Sequence, residues 1–181
     1  SDSLPFLGLY DAGNNVIFAT SGDYGYGTLH HELVHAYIEN REKSCPAWFE
    51  ETMASLYERT QWDGEEYCPL VNWRMGGIYL EQLPALAEFA DEAASFNPKF
   101  NIAETRLLFM FLAKKGYLSD LYERGRKAGD SGAFGPLFAQ HELKEEDWQA
   151  FAKAQKEEYF EEDHGYQQEN AVIQQAQRML N

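Results

Sequence analysis

The chain has few cysteines, few basic residues and no long apolar run, and each shortage narrows what it can be. Cys45 and Cys68 are its only cysteines. They suit one disulfide in an exported protein or two free thiols in a cytoplasmic one, and the sequence leaves both open, with export slightly favoured. Because no apolar run reaches the length of a membrane-crossing helix, we expect no membrane span in this chain.

The balance of charge argues against several classes of partner. Aspartate and glutamate number 30 against 15 lysines and arginines, which gives a formal net charge of −15. This charge disfavours nucleic acid and anionic membrane surfaces as partners, and it mildly favours neutral or basic substrates. Aromatic residues make up 15% of the 181 residues, which indicates one packed domain instead of disorder. The sequence carries no signal of oligomeric state.

The most informative motif is the stretch at 31–35, which reads His-Glu-Leu-Val-His. On a helix, His31 and His35 lie one turn apart on the same face, so both imidazoles can reach one metal ion. Glu32 is displaced around the helix, where it can hold a metal-bound water instead of the metal. This HExxH spacing predicts a zinc site in which the ion lowers the pKa of that water and Glu32 acts as the base.

The rest of the motif helix is strongly apolar, which predicts a central, buried helix. The residues that carry this pattern are Leu33, Val34, Ala36, Tyr37 and Ile38. The alternative interpretation of the motif is an ordinary core helix whose two histidines are satisfied by hydrogen bonds.

A second helix supplies the expected third ligand, because a catalytic zinc site has three protein ligands and one open position. After a polar turn, this helix is predicted to pack back against the first. Glu51, Ala54, Ser55 and Glu58 share one face, and two of them are small enough for close helix approach. We therefore predict Glu51 as the third zinc ligand, whereas the neighbouring Glu50 lies on a different face.

Two motifs together resemble a known family. The HExxH stretch at 31–35 is followed by Pro46-x-Trp48-x-x-Glu51-x-x-Ala54. This combination is similar to the gluzincin, or peptidase MA-like, zinc metallopeptidases, and in particular to a largely uncharacterised bacterial branch of them. One departure is Thr52, where the family usually has glycine; a helix tolerates threonine there.

The resemblance, which covers roughly residues 4–155, implies both a site and an activity. It implies that His31, His35 and Glu51 bind one Zn²⁺ per chain and that Glu32 is the general base. It also implies a peptide or protein as substrate and hydrolysis of the peptide bond as the reaction. No motif that would anchor a free amine or carboxylate is evident, which favours an endopeptidase.

The residue that would stabilise the oxyanion is not assigned by the resemblance. Many gluzincins use a tyrosine or histidine from a later helix, and the matching helix, expected at 102–115, has no tyrosine near its start. Arg106 can supply positive charge there. Tyr79, Tyr117 and His141 are the other candidates.

The expected fold is α+β and mostly α. Two β-prone stretches at 4–10 and 15–20, joined by a turn, predict an N-terminal hairpin that leads to the motif helix. The remainder reads as a helical lobe, and the resemblance implies a zincin-like arrangement of the two parts. We predict a catalytic domain at 1–156 and a polar helical tail at 157–181.

Two other functions remain open beside a zinc peptidase. The domain can be a catalytically weak zinc-binding module that serves partner binding or regulation, although a pure binding module has no need of Glu32. The same site can also hydrolyse a non-peptide amide.

Overall fold

The computed structural model describes residues 8–20, 26–41, 45–90, 101–127 and 134–161, and the fold is given for these ranges. They form mostly helices with two small antiparallel hairpins, which confirms the expected α+β, mostly α class. The elements in chain order are β1 (Gly8–Asp11), β2 (Val16–Ala19), α1 (Gly27–Arg41), α2 (Ala47–Leu56), β3 (Thr60–Trp62), β4 (Tyr67–Pro69), the 3-10 turns Trp73–Gly77 and Leu80–Gln82, α3 (Leu86–Ala90), α4 (Ile102–Lys114), α5 (Leu118–Gly125), α6 (Phe134–Gln140) and α7 (Glu145–Glu161).

The predicted N-terminal hairpin is present as β1 and β2, with Tyr10 opposite Ile17. Its strands are shorter than the sequence suggested, and residues 4–7 lie outside the described part of the chain. The hairpin lies along α1 and is tied to its end by a hydrogen bond of 2.8 Å from the Asn40 amide to the Tyr10 hydroxyl. A residue of the connecting turn, Asn15, adopts a left-handed conformation with φ of 51°, which asparagine tolerates better than most residues.

The helix α1 is a surface helix, so the prediction of a central, buried helix is wrong. Ile38 is only 1% exposed, but Leu33 and Tyr37 are 48% and 52% exposed. The physical reason lies in its three faces. One face packs on α2, a second lies under the hairpin, and the third, which carries Leu33 and Tyr37, meets solvent.

The core is built around α4, which the sequence predicted within one residue. All residues from 105 to 112 are buried. Its start is fixed by a capping box, in which Asn101 accepts from the Glu104 amide at 2.9 Å and the Glu104 carboxylate accepts from the Asn101 amide. The hydroxyls of Thr52 on α2 and Thr105 on α4 lie 3.1 Å apart. This contact joins the helix of the predicted third ligand directly to the core.

A second hairpin, β3 and β4, was not predicted because its strands are only three residues long. The Asp63 carboxylate shapes its turn by accepting from the backbone amides of Glu65 and Glu66. Cys45 and Cys68 form no disulfide in the described residues, and the Cys68 Sγ donates to Asp63 at 3.3 Å. The structure therefore shows two thiols instead of the disulfide.

The last helix of the described residues, α7, runs without interruption across residue 157, where the sequence suggested a domain boundary. Tyr159 packs so close to the backbone at Gly76 that a Cβ there would lie 2.9 Å from its hydroxyl. Residues 162–181, which contain most of the predicted tail, lie outside the described ranges, so the division of the chain stays a prediction. Among the described helices, none has the length and apolar character needed to cross a membrane.

Replacing Gly125 by alanine tests the packing between α5 and α2. A Cβ at this position would lie 1.9 Å from the ring of Phe49, which is fully buried. We expect Gly125→Ala to lower the free energy of unfolding in urea by about 2–3 kcal/mol, because the ring has no room to move. Gly77→Ala is the control, since a Cβ there meets nothing within 4 Å. Equal stability of the two variants would contradict the packing.

Candidate metal centre

The three predicted ligands, His31, His35 and Glu51, converge between α1 and α2. The two imidazole Nε2 atoms lie 3.1 Å apart. The Glu51 carboxylate oxygens lie 3.6 Å from the Nε2 of His31 and 3.4 Å from the Nε2 of His35. Ligand atoms at zinc-bonding distance around a tetrahedral ion are roughly 3.4 Å apart. The donor set and its spacing therefore fit one zinc ion.

Both imidazoles are oriented by a second carboxylate on their other ring nitrogen. The Nδ1 of His31 lies 3.0 Å from Glu58 Oε1, and the Nδ1 of His35 lies 2.8 Å from Glu50 Oε1. Because a carboxylate only accepts, these contacts place the proton of a neutral imidazole on Nδ1 and leave the Nε2 lone pair for a metal. Glu50, which the sequence distinguished from Glu51 by its helix face, contacts the outer nitrogen.

Acidic neighbours change the pKa values of the two histidines. Burial lowers the pKa of His31, but Glu51 and Glu58 outweigh it and raise this pKa to about 9. Burial also lowers the pKa of His35, and there Glu50 and Glu51 outweigh it, so the pKa is raised. The neighbouring imidazole of His31 holds the pKa of Glu51 below its ordinary value. The cluster therefore attracts positive charge strongly, and a bound metal must displace a proton from it.

Glu32 lies under the hairpin and stands apart from the three converging ligands. It is only 8% exposed. Burial raises the pKa of its carboxyl group, opposed by the two histidines and by a hydrogen bond from the Tyr10 backbone amide. The strand β1 approaches so closely that a Cβ on Gly8 would lie 2.7 Å from Glu32 Oε1. A raised pKa makes a carboxylate a better proton acceptor, which suits a base.

Arg106, one candidate for oxyanion stabilisation, is buried in the core and hydrogen-bonds there. It is 3% exposed. Its Nε donates to the backbone carbonyl of Ser55 and its Nη2 to that of Leu70, both at 2.8 Å. Its guanidinium thus links the end of α2 to the chain that follows β4, and it makes no hydrogen bond to the three converging ligands.

The other three candidates also have no hydrogen bond or ion pair to these ligands in the described ranges. Tyr117 stacks on His141 with ring centroids 3.7 Å apart. His141 in turn lies 3.0 Å from Asp120, so these residues join α5 to the end of α6. Tyr79 is 61% exposed. The sequence therefore named four candidates that the structure does not bring to the ligands.

A second group of possible ligands occurs in the described residues, at the turn between β3 and β4. Asp63, Glu66 and Cys68 lie close enough to share an ion. Asp63 and Glu66 are exposed, and the Asp63 carboxylate is already used by the amides and the thiol of its own turn. This group is a turn motif and has no counterpart of the paired imidazoles.

The sequence did not predict the residues that contact the outer nitrogen of His31 or the carboxylate bound to it. The positions of Glu58 and Glu51 on one helix face were noticed, but nothing in the sequence indicated that Glu58 would reach His31. Arg74 and Asn72 approach Glu58 from a 3-10 turn, and no periodic pattern marks them.

Comparison of the chain with protein-family models, curated proteins and solved structures finds no match.

Arg106→Met tests whether this arginine belongs to the core or to the chemistry. We expect the variant to lose about 2–4 kcal/mol of unfolding free energy, because one buried and one partly buried carbonyl lose their donor. Zinc affinity of the folded fraction should stay within about twofold, since Arg106 makes no hydrogen bond to the ligands. Arg41→Met, at an exposed position of α1, is the matched control for stability. A variant as stable as this control would contradict the structural role.

Proposed function

We propose that this domain is a zinc-dependent peptidase of the gluzincin kind. His31, His35 and Glu51 hold one Zn²⁺, and Glu32 is the general base. The observation that carries this proposal is the convergence of two Nε2 atoms and one carboxylate at the spacing of a tetrahedral zinc site. The carboxylates behind both imidazoles support it further, because such outer partners accompany most metal-binding histidines.

Each residue of the site then has a defined part in the hydrolysis. Zinc, when bound, supplies a Lewis acid that lowers the pKa of a water molecule and polarises the substrate carbonyl. Glu32 takes the proton of the attacking water on its carboxylate and returns it to the leaving amine. The Tyr10 amide and the close approach of Gly8 limit the positions of this carboxylate. Glu50 and Glu58 hold the two imidazoles in their orientation.

The substrate class is a peptide, and an internal peptide bond is favoured. In the described part of the chain, β1 and β2 pair only with each other, so each strand has one edge without a strand partner. An extended peptide can add to such an edge through backbone hydrogen bonds. The absence of a recognisable anchor for a free terminus in the sequence favours action within a chain.

The second candidate function is a catalytically weak zinc-binding module. The observation that favours it is that the four sequence candidates for oxyanion stabilisation make no hydrogen bond or ion pair with the ligands in the described residues. Glu32 favours the enzyme, because its carboxylate lies beside the proposed metal site without being one of the three converging groups. Metal binding alone does not separate these two functions.

Metal content tests the three-ligand site. We expect one zinc per purified chain by elemental analysis. Glu51→Ala should weaken zinc binding by more than about 100-fold, because loss of a direct ligand costs more than the 10–100-fold typical of outer partners. Glu39→Ala, an exposed position of α1, should bind zinc like the wild type. Absence of zinc from the wild type after reconstitution, or equal affinity in Glu51→Ala, would contradict the site.

Glu32→Gln separates the enzyme from the binding module. The variant keeps the shape of the side chain but cannot take a proton, so we expect zinc to remain bound and cleavage of a peptide library to fall by at least about 100-fold. Product formation is followed by mass spectrometry, with the Glu39→Ala protein as the control. A zinc-loaded wild type that cleaves no better than Glu32→Gln would favour the binding module.

A further inference from the structure

Glu58 accepts four hydrogen bonds, three of them from one turn. It follows α2 and receives the Nδ1 of His31 at 3.0 Å. The Asn72 amide donates to its Oε2 at 2.8 Å, and Arg74 donates through Nε to Oε2 at 2.9 Å and through Nη2 to Oε1 at 2.5 Å. Arg74 thus donates two hydrogen bonds from its guanidinium to the same carboxylate that orients a predicted zinc ligand.

The carboxylate behind the other histidine is held differently. Glu50 and Glu58 are equally buried, with side chains 13% and 12% exposed. In the described residues, the Glu50 carboxylate contacts His35. The two imidazoles therefore have unequal support, since within these residues only the partner of His31 is paired with an arginine. Burial raises the pKa of Glu58, but Arg74 and His31 outweigh it and hold this pKa at about 2.

The turn that carries Arg74 is fixed to the core. The side chain of Asn72, which is 1% exposed, caps the turn by accepting from the Arg74 amide at 3.1 Å. The guanidinium lies over the ring of Trp73, 4.3 Å from its centroid. Lys156 on α7 donates to the carbonyl of Met75 at 2.8 Å. Arg74 is therefore anchored on both sides, as a residue that positions another group must be.

We propose that Arg74 is a positioning residue of the metal centre. It fixes the Glu58 carboxylate, which fixes the Nδ1 of His31 and so directs its Nε2 towards the ion. This inference rests on the zinc site proposed above, but it concerns a residue outside both sequence motifs. It acts through two hydrogen bonds in series, and Arg74 itself touches neither metal nor substrate.

Removing the arginine separates two effects that act in opposite directions. If Arg74 matters only through its charge, its loss leaves the site more negative and a cation should bind as tightly or more tightly. If Arg74 matters through the two parallel hydrogen bonds of its guanidinium, their loss lets the Glu58 carboxylate move, and zinc should bind more weakly. Lysine keeps the charge but cannot form the two parallel hydrogen bonds. Arg74→Lys and Arg74→Ala together therefore distinguish position from charge.

The experiment measures zinc affinity of the full chain by competition with a chromophoric chelator. We expect Arg74→Lys and Arg74→Ala to bind zinc about 10–100-fold more weakly than the wild type. The visible spectrum of bound Co²⁺ should also change in both variants, because the geometry at His31 is altered. Arg41→Lys and Arg41→Ala, at an exposed position of α1, should match the wild type in affinity and spectrum.

Three results would overturn the inference, and they are distinguishable. A wild type with one zinc and Arg74 variants of unchanged affinity and spectrum would remove the role of Arg74 and leave the proposed function intact. Tighter binding in Arg74→Ala with unchanged Arg74→Lys would show that charge alone matters. A wild type without zinc would remove the proposed function and this inference together. If Arg74→Ala does not fold by circular dichroism, Arg74→Lys decides the question alone.

Discussion

The antiparallel packing of α1 against α2 is the constraint on which the proposed site depends. It puts each imidazole between two carboxylates, with Glu51 on the inner nitrogens and Glu50 or Glu58 on the outer ones. Ala54 and Ser55 on the facing side of α2 are fully buried, so small side chains allow this approach. The carboxylates around the two imidazoles would repel one another, and a bound divalent cation would offset that repulsion. The packing of the two helices therefore creates a cluster of negative groups that suits the zinc proposed above.

The rest of the fold holds this pair of helices in place from two sides. The helix α4 and its capping box form the core on which α2 rests. The N-terminal hairpin covers Glu32 from the other side, and Gly8 permits its close approach. Two arginines hold the chain around the site in place. Arg106 donates to backbone carbonyls, and Arg74 donates to the Glu58 carboxylate. Because α1 lies between α2 and the hairpin, only two of its faces are covered, and its third face stays exposed.

The sequence predicted those features that rest on local periodicity. The HExxH spacing put two histidines on one face, the second helix face singled out Glu51, and an apolar run that ends at a glycine located α4. Burial of α1 was predicted wrongly, because an apolar helix pattern does not show how many neighbours will cover it. The β3–β4 hairpin and the contact of Arg74 with Glu58 escaped prediction. Short strands carry little pattern, and a contact between residues 16 positions apart, on either side of that hairpin, carries none.

X-ray absorption at the zinc edge of the zinc-loaded protein tests the central claim most directly. It reports the atoms around the metal without needing a substrate or an assay. We expect a four-coordinate ion with two imidazole nitrogens and the remaining ligands oxygen, at distances near 2.0–2.2 Å. A sulfur ligand from Cys45 or Cys68, or a shell of oxygens without imidazole, would contradict the assignment of His31, His35 and Glu51.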